Sequence, residues 1–261
     1  MINSYIQVVD AAPILNTPDF KSVFGGSDRT TLMQDERGHV RAFEFVALPG
    51  SFLKVVQDTP DPCILKVSAD FYSSQNLYID KRFTRKVLGQ PKNQFQLPAS
   101  AEIQYQLRKS LGVQYVWGGN YQKGCFAINH YYPRPQNLSS SVARTWLLQG
   151  VDCSGLLYEA TNGHLPRNTS DLAHFGQAVP AANKSITDII KLLQPLDLII
   201  HPGHVIIVLD LHYIIESKET AGVVKTEIRE RLNQLLTERQ AVDSTSEMKK
   251  DKFIIRRWAS N

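Results

Sequence analysis

Near Pro98 the grain of this sequence changes, and that change limits what the chain can fold into. Before it lie short apolar runs cut by turn residues. Arg29–Gln34, a turn at Asp35–Gly38 and His39–Val46 read as two strands with partial alternation. Pro49-Gly50 leads into Phe52–Val56, and Asp58–Pro62 turns the chain into Cys63–Val67 and then Gln75–Ile79. Strands this short with Pro and Gly between them predict a small β-barrel. After Pro98 the spacing becomes helical. Ile103, Leu107 and Leu111 recur every four residues within Ala99–Leu111 and stop at Gly112. Further helices are expected from Cys153 to about Asn162, over Ser185–Leu193 and over 228–240, the last with Leu232, Leu235 and Leu236 on one face. Strands are expected at Asp197–Ile200, His204–Leu209, Tyr213–Glu216, Val223–Ile228 and Phe253–Trp258, with Val242–Asp251 a loop. The reading is an α+β chain of two domains, 1–97 and 98–261, with the boundary between about 88 and 98.

Composition narrows the function classes. A chain of 261 residues, 43% hydrophobic and 21% charged, can bury a sizeable core and is not disordered. Its formal charge of +4 is spread among acids in runs no longer than Lys249-Lys250 and Arg256-Arg257, which argues against nucleic-acid binding. No apolar run is long enough to cross a bilayer, and Asp10 interrupts Ile6–Leu15, so neither a transmembrane segment nor a secretory signal is expected. Three cysteines, Cys63, Cys125 and Cys153, have neither disulfide nor zinc-clip spacing. A reducing cytoplasm is the expected location; oligomeric state is left open.

The stretch Gly150-Val-Asp-Cys-Ser-Gly-Leu-Leu-Tyr158 sets a cysteine between a turn-forming glycine and the start of a helix. Cys153 there is either a buried small side chain or a thiol activated by the positive end of the helix. A thiol nucleophile needs a base, and the base needs a group to orient it. His204 opens an apolar strand after Pro202-Gly203, and Glu216 ends the next strand. If the two strands are antiparallel and joined near Asp210–His212, their outer ends meet. His201 competes as the base, although Pro202-Gly203 is expected to break any strand it shares with His204. His212 falls in a turn, and His130, His164 and His174 read as surface residues. Neither a second thiol nor histidines at ligand spacing accompany them, so no metal and no cofactor is expected.

At this point the chain resembles a known group. Tyr115-Val-Trp-Gly-Gly119, Val151-Asp-Cys-Ser-Gly155 and Pro195-Leu-Asp-Leu-Ile199 ahead of Gly203-His-Val205 are similar, in that order, to blocks of the NlpC/P60 family of papain-like cysteine peptidases. The resemblance covers roughly residues 100 to 220. It implies a cysteine-bearing helix packed on an antiparallel sheet, preceded by a small SH3-like barrel. It also implies hydrolysis of the bond between γ-D-glutamyl and a diamino acid in peptidoglycan stem peptides, in cell-wall turnover or recycling. Cys153 is then the nucleophile, His204 the base, Glu216 the orienting residue and Tyr115 a neighbour of the developing oxyanion. Trp117, Asp152, Ser154, Arg167, Asn168 and Thr169 are placed along the substrate cleft.

Members of this type without a signal peptide act on L-Ala-γ-D-Glu-diaminopimelate with a free amine. The acid that holds the amine in their Pro-Arg-Asp-Ser stretch is matched here by Asn168, followed by Thr169. Either another acid, Asp171 or one from the barrel, supplies the charge, or the demand for a free amine is relaxed. The third catalytic position, usually histidine or another polar residue, is Glu216. Between Gly119 and Cys153 lie 33 residues rich in Tyr, Pro, Asn and Ser, expected to form a flap over the cleft or a passive surface excursion. Two alternatives stand beside the peptidase: an amidase or acyltransferase on the same scaffold, and a non-catalytic peptidoglycan-binding protein.

Overall fold

Alternation of apolar and polar residues, with turns between, builds the first part of the chain as antiparallel sheet. The computed structural model describes residues 4–26, 28, 30–87, 89, 91 and 96–259. Strands β1 (Tyr5–Val8) and β2 (Ala12–Leu15) are followed by a one-turn helix, α1 (Phe20–Val23), and the short pair β3 (Phe24–Gly25) and β4 (Thr31–Leu32). Then come β5 (Phe43–Ala47), β6 (Phe52–Asp58), β7 (Ile64–Ala69), β8 (Tyr72–Asp80) and β9 (Thr84–Val87). Seven of these pair in the order β5-β2-β8-β7-β6-β1-β9, antiparallel throughout.

Two expected strands shrink. Of Arg29–Gln34 only Thr31–Leu32 pairs as strand, and Arg29 itself lies outside the described residues. The strand expected from His39 begins at Phe43, because the Asp35 carboxylate accepts the backbone N–H of both Arg37 and His39 at 2.9 Å and holds that stretch as a turn. Most of the segment expected to carry the domain boundary, Leu88, Gln90 and 92–95, also lies outside the described residues.

Helix α2 (Ser100–Lys109) buries Ile103 and Leu107, with Glu102 in its first turn and Arg108 and Lys109 in its last, each sign favourable to the helix dipole. It ends before Leu111, which is exposed, and Gly112 turns the chain at φ +81°. The next segment departs from expectation. After β10 (Asn120–Tyr121), α3 (Ile128–Tyr131) and α4 (Ser140–Trp146) pack into the core of the amino-terminal sheet instead of forming a flap. Cys125, Ile128, Tyr132, Trp146 and Leu148 join Phe20, Phe24 and Phe43 there. Trp146 is 0% exposed and its Nε1–H donates to Tyr132 O at 3.0 Å. The Tyr132 ring stacks 5.4 Å from Phe24, and its hydroxyl donates to buried Asp80 at 2.8 Å. Burying a large apolar side chain is worth about 1.5–3 kcal/mol, which a solvent-facing flap would forgo.

The chain then runs through β11 (Gly150–Val151), α5 (Cys153–Ala160), α6 (Thr169–Leu172), β12 (Gln177–Ala178), α7 (Ile186–Leu192), β13 (Leu198–His201), β14 (His204–Val208), β15 (Tyr213–Lys218), β16 (Gly222–Glu227), α8 (Ile228–Glu238), β17 (Gln240–Ala241) and β18 (Lys252–Arg257). The second sheet has the order β12-β18-β13-β14-β15-β16, antiparallel, with β17 added parallel to β18. Its central strands β13 and β14 are apolar apart from His201 and His204, because both faces are covered there. Leu198, Ile200, Val205, Ile207 and Ile215 share a core with α2 and α5, while Ile199, Ile206, Val208 and Ile214 share another with α7 and α8. Among the described residues, no helix is long and apolar enough to cross a membrane.

Candidate active site

The position of Cys153 follows from how α5 begins. Asp152 caps the helix, its carboxylate accepting the Gly155 N–H at 2.7 Å. A Cβ on Gly155 would lie 2.0 Å from Gly119 O, so only glycine lets the helix seat this closely on the Gly119 backbone. Cys153 is therefore the first helical residue, where backbone N–H groups have no partner inside the helix. It is 7% exposed, and its Sγ lies 3.8 Å from both Gly203 O and Thr169 Oγ1.

The tight turn Pro202-Gly203 makes His201 and His204 direct cross-strand partners, Gly203 adopting φ +83°. The turn expected to separate the two histidines thus brings their rings to 5.3 Å. Pairing of Ile207 with Ile215 puts His204 and Glu216 on the same face of the sheet by parity. His204 Nε2 meets Glu216 Oε2 at 2.7 Å, which leaves the other ring nitrogen, Nδ1, clear of the carboxylate. Burial opposes a charge on His204, but the bonds and charges of Cys153 and Glu216 outweigh it and raise the ring from 6.5 to about 9. Burial likewise opposes the Glu216 charge, yet His204 and Arg231 pull this 0% exposed carboxylate down to about 2. The ring of His201 is driven down to about 4, chiefly by burial and then by the charge of His204.

Two cavities meet at Tyr115 and Gly203. One, of about 620 Å³, runs past His204, Glu216, Lys218 and Arg231. The other, of about 320 Å³, holds Cys153 and is lined by Trp117, Asp152, Ser154, Arg167, Asn168 and Thr169, so all six residues placed along the cleft from sequence lie together. Within it Arg167 is 2% exposed and committed to its neighbours. Its guanidinium donates to both Asp152 carboxylate oxygens at 3.0 and 2.6 Å and to Ser154 Oγ at 2.8 Å. Tyr115 lies outside regular secondary structure, its hydroxyl held neutral by burial and by the charges of Asp152, Cys153 and Glu219. Asp171 accepts from Ser73 at 3.3 Å and is not part of the lining.

Five residues of these walls escape sequence reasoning. Arg41, Glu44 and Tyr72 reach the cavity from the amino-terminal sheet, and Arg231 and Lys218 sit behind Glu216. None stands in a local motif; only the fold brings them here.

No family profile and no curated protein matches the chain. Solved structures resemble it distantly. An NlpC/P60 family protein from Bacillus cereus aligns over 98% of this chain and 63% of its own length, at 15% identity and a TM-score of 0.38. NlpC1 from Trichomonas vaginalis covers 100% of this chain and 70% of its own length, at 14% identity and a TM-score of 0.36. An NlpC/P60 endopeptidase from Photobacterium damselae covers 85% and 64%, at 11% identity and a TM-score of 0.48. This chain thus spans less than two thirds of the length of the Bacillus cereus protein.

Proposed function

We propose that this chain is a thiol hydrolase cleaving the γ-D-glutamyl–diamino acid bond of peptidoglycan stem peptides in cell-wall turnover or recycling. The observation that carries the reading is the 2.7 Å contact of His204 Nε2 with Glu216 Oε2 in a cavity that shares Tyr115 and Gly203 with the one holding Cys153. A thiol, a ring held at about 9 and a carboxylate held at about 2 form the set that nucleophilic acyl transfer requires.

In the first step the Cys153 thiolate, beside the His204 imidazolium, attacks the glutamyl carbonyl and forms the C–S bond. The Cys153 N–H at the helix start and the Tyr115 hydroxyl stabilise the oxyanion. His204 gives its proton to the leaving amine as the C–N bond breaks, leaving a thioester. Neutral His204 then takes a proton from water, whose oxygen attacks the thioester; the C–S bond breaks and the thiolate–imidazolium pair returns. Glu216 keeps the ring oriented throughout.

The amino-terminal unit, a barrel of SH3 type in this reading, narrows the cleft. Glu44 lines the cavity that Asp171 does not reach, and it takes over the amine of the L-Ala residue where Asn168 lacks a charge. The test is release of diaminopimelate from L-Ala-γ-D-Glu-diaminopimelate, followed by mass spectrometry. Wild type is expected to release it and Cys153→Ala to release none while remaining folded. Turnover by Cys153→Ala at the wild-type rate would remove the proposal.

A further inference from the structure

Arg41 has the features of a prepared anion site. Its Nε donates to Asp35 Oδ2 at 2.6 Å, and its guanidinium lies 4.1 Å from the centroid of the Trp117 ring. Asp35 is fixed in turn by the backbone N–H groups of Arg37 and His39, and Trp117 stacks on His39 with ring centroids 5.5 Å apart. An arginine pinned at Nε and supported on an aromatic face has lost most of its side-chain freedom before any ligand arrives. What remains is the pair of terminal nitrogens, the fork that matches a carboxylate.

The charges around it sharpen the point. The cavity that holds Cys153 is lined by two guanidinium groups, Arg41 and Arg167. Arg167 is fully engaged, donating to Asp152, Ser154, Asn120 Oδ1 at 3.3 Å and Gly119 O at 3.3 Å. Arg41, with its side chain 45% exposed, retains its outer donors among the described residues.

We infer that Arg41 anchors a free carboxylate on the acyl side of the scissile bond, making the amino-terminal unit the specificity element for acidic over amidated substrates. The inference rests on the proposed function. In a γ-linked D-glutamyl residue the α-carboxylate is free, whereas an α-amidated residue offers a neutral carboxamide in its place. A guanidinium fork gains a charge-assisted bond with the first and not with the second.

The test uses the Cys153→Ala protein and calorimetric binding of two probes, L-Ala-D-Glu and L-Ala-D-isoglutamine, which differ only at the α-carboxyl group. The acid is expected to bind roughly 10- to 100-fold more tightly, the range of one charge-assisted hydrogen bond. Adding Arg41→Gln removes that preference, and Arg41→Lys, which keeps the charge without the fork, retains part of it. If Arg41→Gln fails to fold, the lysine variant decides: a reduced preference supports the anchor and an unchanged one overturns it. Equal binding of the two probes with Arg41 present, a preference that survives Arg41→Gln, or binding of neither probe also overturns it. Turnover is read separately with the Cys153-containing protein. Arg41-dependent binding without tripeptide turnover strikes the hydrolase reading and leaves the anchor standing.

Discussion

Glu216 shows how a single buried charge is kept and used. One oxygen faces His204 at 2.7 Å; the other accepts from Arg231 Nε at 2.6 Å and lies 3.1 Å from Lys218 Nζ. A buried carboxylate is tolerable because each lone-pair direction has a donor. The neighbours pull His204 in opposite directions. Removing the carboxylate in Glu216→Gln lets the ring fall from about 9 toward its ordinary value, so the alkaline limb of kcat/KM moves down in pH, and the rate falls roughly 10²- to 10⁴-fold. Arg231→Ala leaves the carboxylate less neutralised, so the same limb moves up. A pH profile of each variant checks the signs; equal shifts in one direction would contradict the assignment.

Stability follows the same pair. The His204 contribution is present below about 6.5 and lost as pH rises through about 9, and the Glu216 contribution is present above about 4.5 and lost as pH falls toward 2. The stability difference between wild type and Glu216→Gln is therefore widest between about pH 4.5 and 6.5, measurable by denaturant unfolding across that range.

Among the elements, α5 was the easiest to read from sequence and the insert the hardest, for the same physical reason. The helix was expected to start at Cys153 and does, with Asp152 as its cap. Asp152 also neutralises buried Arg167, which no local pattern reveals. Asp152→Ala is expected to cost about 3–5 kcal/mol, the penalty for an abandoned buried charge, rather than the ~1 kcal/mol of a lost cap. Urea unfolding separates the two. Strand β2 escaped because it is buried at every position, so no alternation marks it, and Pro13 reads as a breaker. The insert escaped because its average composition is polar while a few positions carry the packing. Trp146→Ala is expected to destabilise the fold by about 3–5 kcal/mol, whereas a flap residue would change stability little. Thermal unfolding of that variant checks the docking.

At the scale of the whole molecule, the cleft is a joint product of residues far apart in sequence. Cys153 and His204 were legible because each opens a recognisable element. Glu216 was legible because it is the acid in an apolar strand, although that strand runs on to Lys218 instead of ending at Glu216 as expected. Arg41, Glu44 and Tyr72 were not, since nothing near them in sequence marks an edge of the cleft; the packing of one sheet beside the other places them there. Glu44 also accepts from Asn16 at 2.9 Å and from the Tyr72 hydroxyl, which fixes its carboxylate at the cavity wall. Glu44→Gln is expected to lower kcat/KM for the free-amine tripeptide about 10-fold, one charge-assisted bond, and to leave an N-acetylated tripeptide unaffected. Equal loss on both peptides would assign Glu44 to folding alone.

One reagent-free measurement reaches the centre of the chemistry: titration of the His204 ring by nuclear magnetic resonance in protein labelled at histidine. The ring is expected to stay protonated through pH 8 and to titrate near 9, dropping toward 6.5 in Glu216→Gln. A ring that titrates near 6.5 in the wild type, indifferent to Glu216 and to Cys153, would contradict the ion pair on which the hydrolytic reading stands.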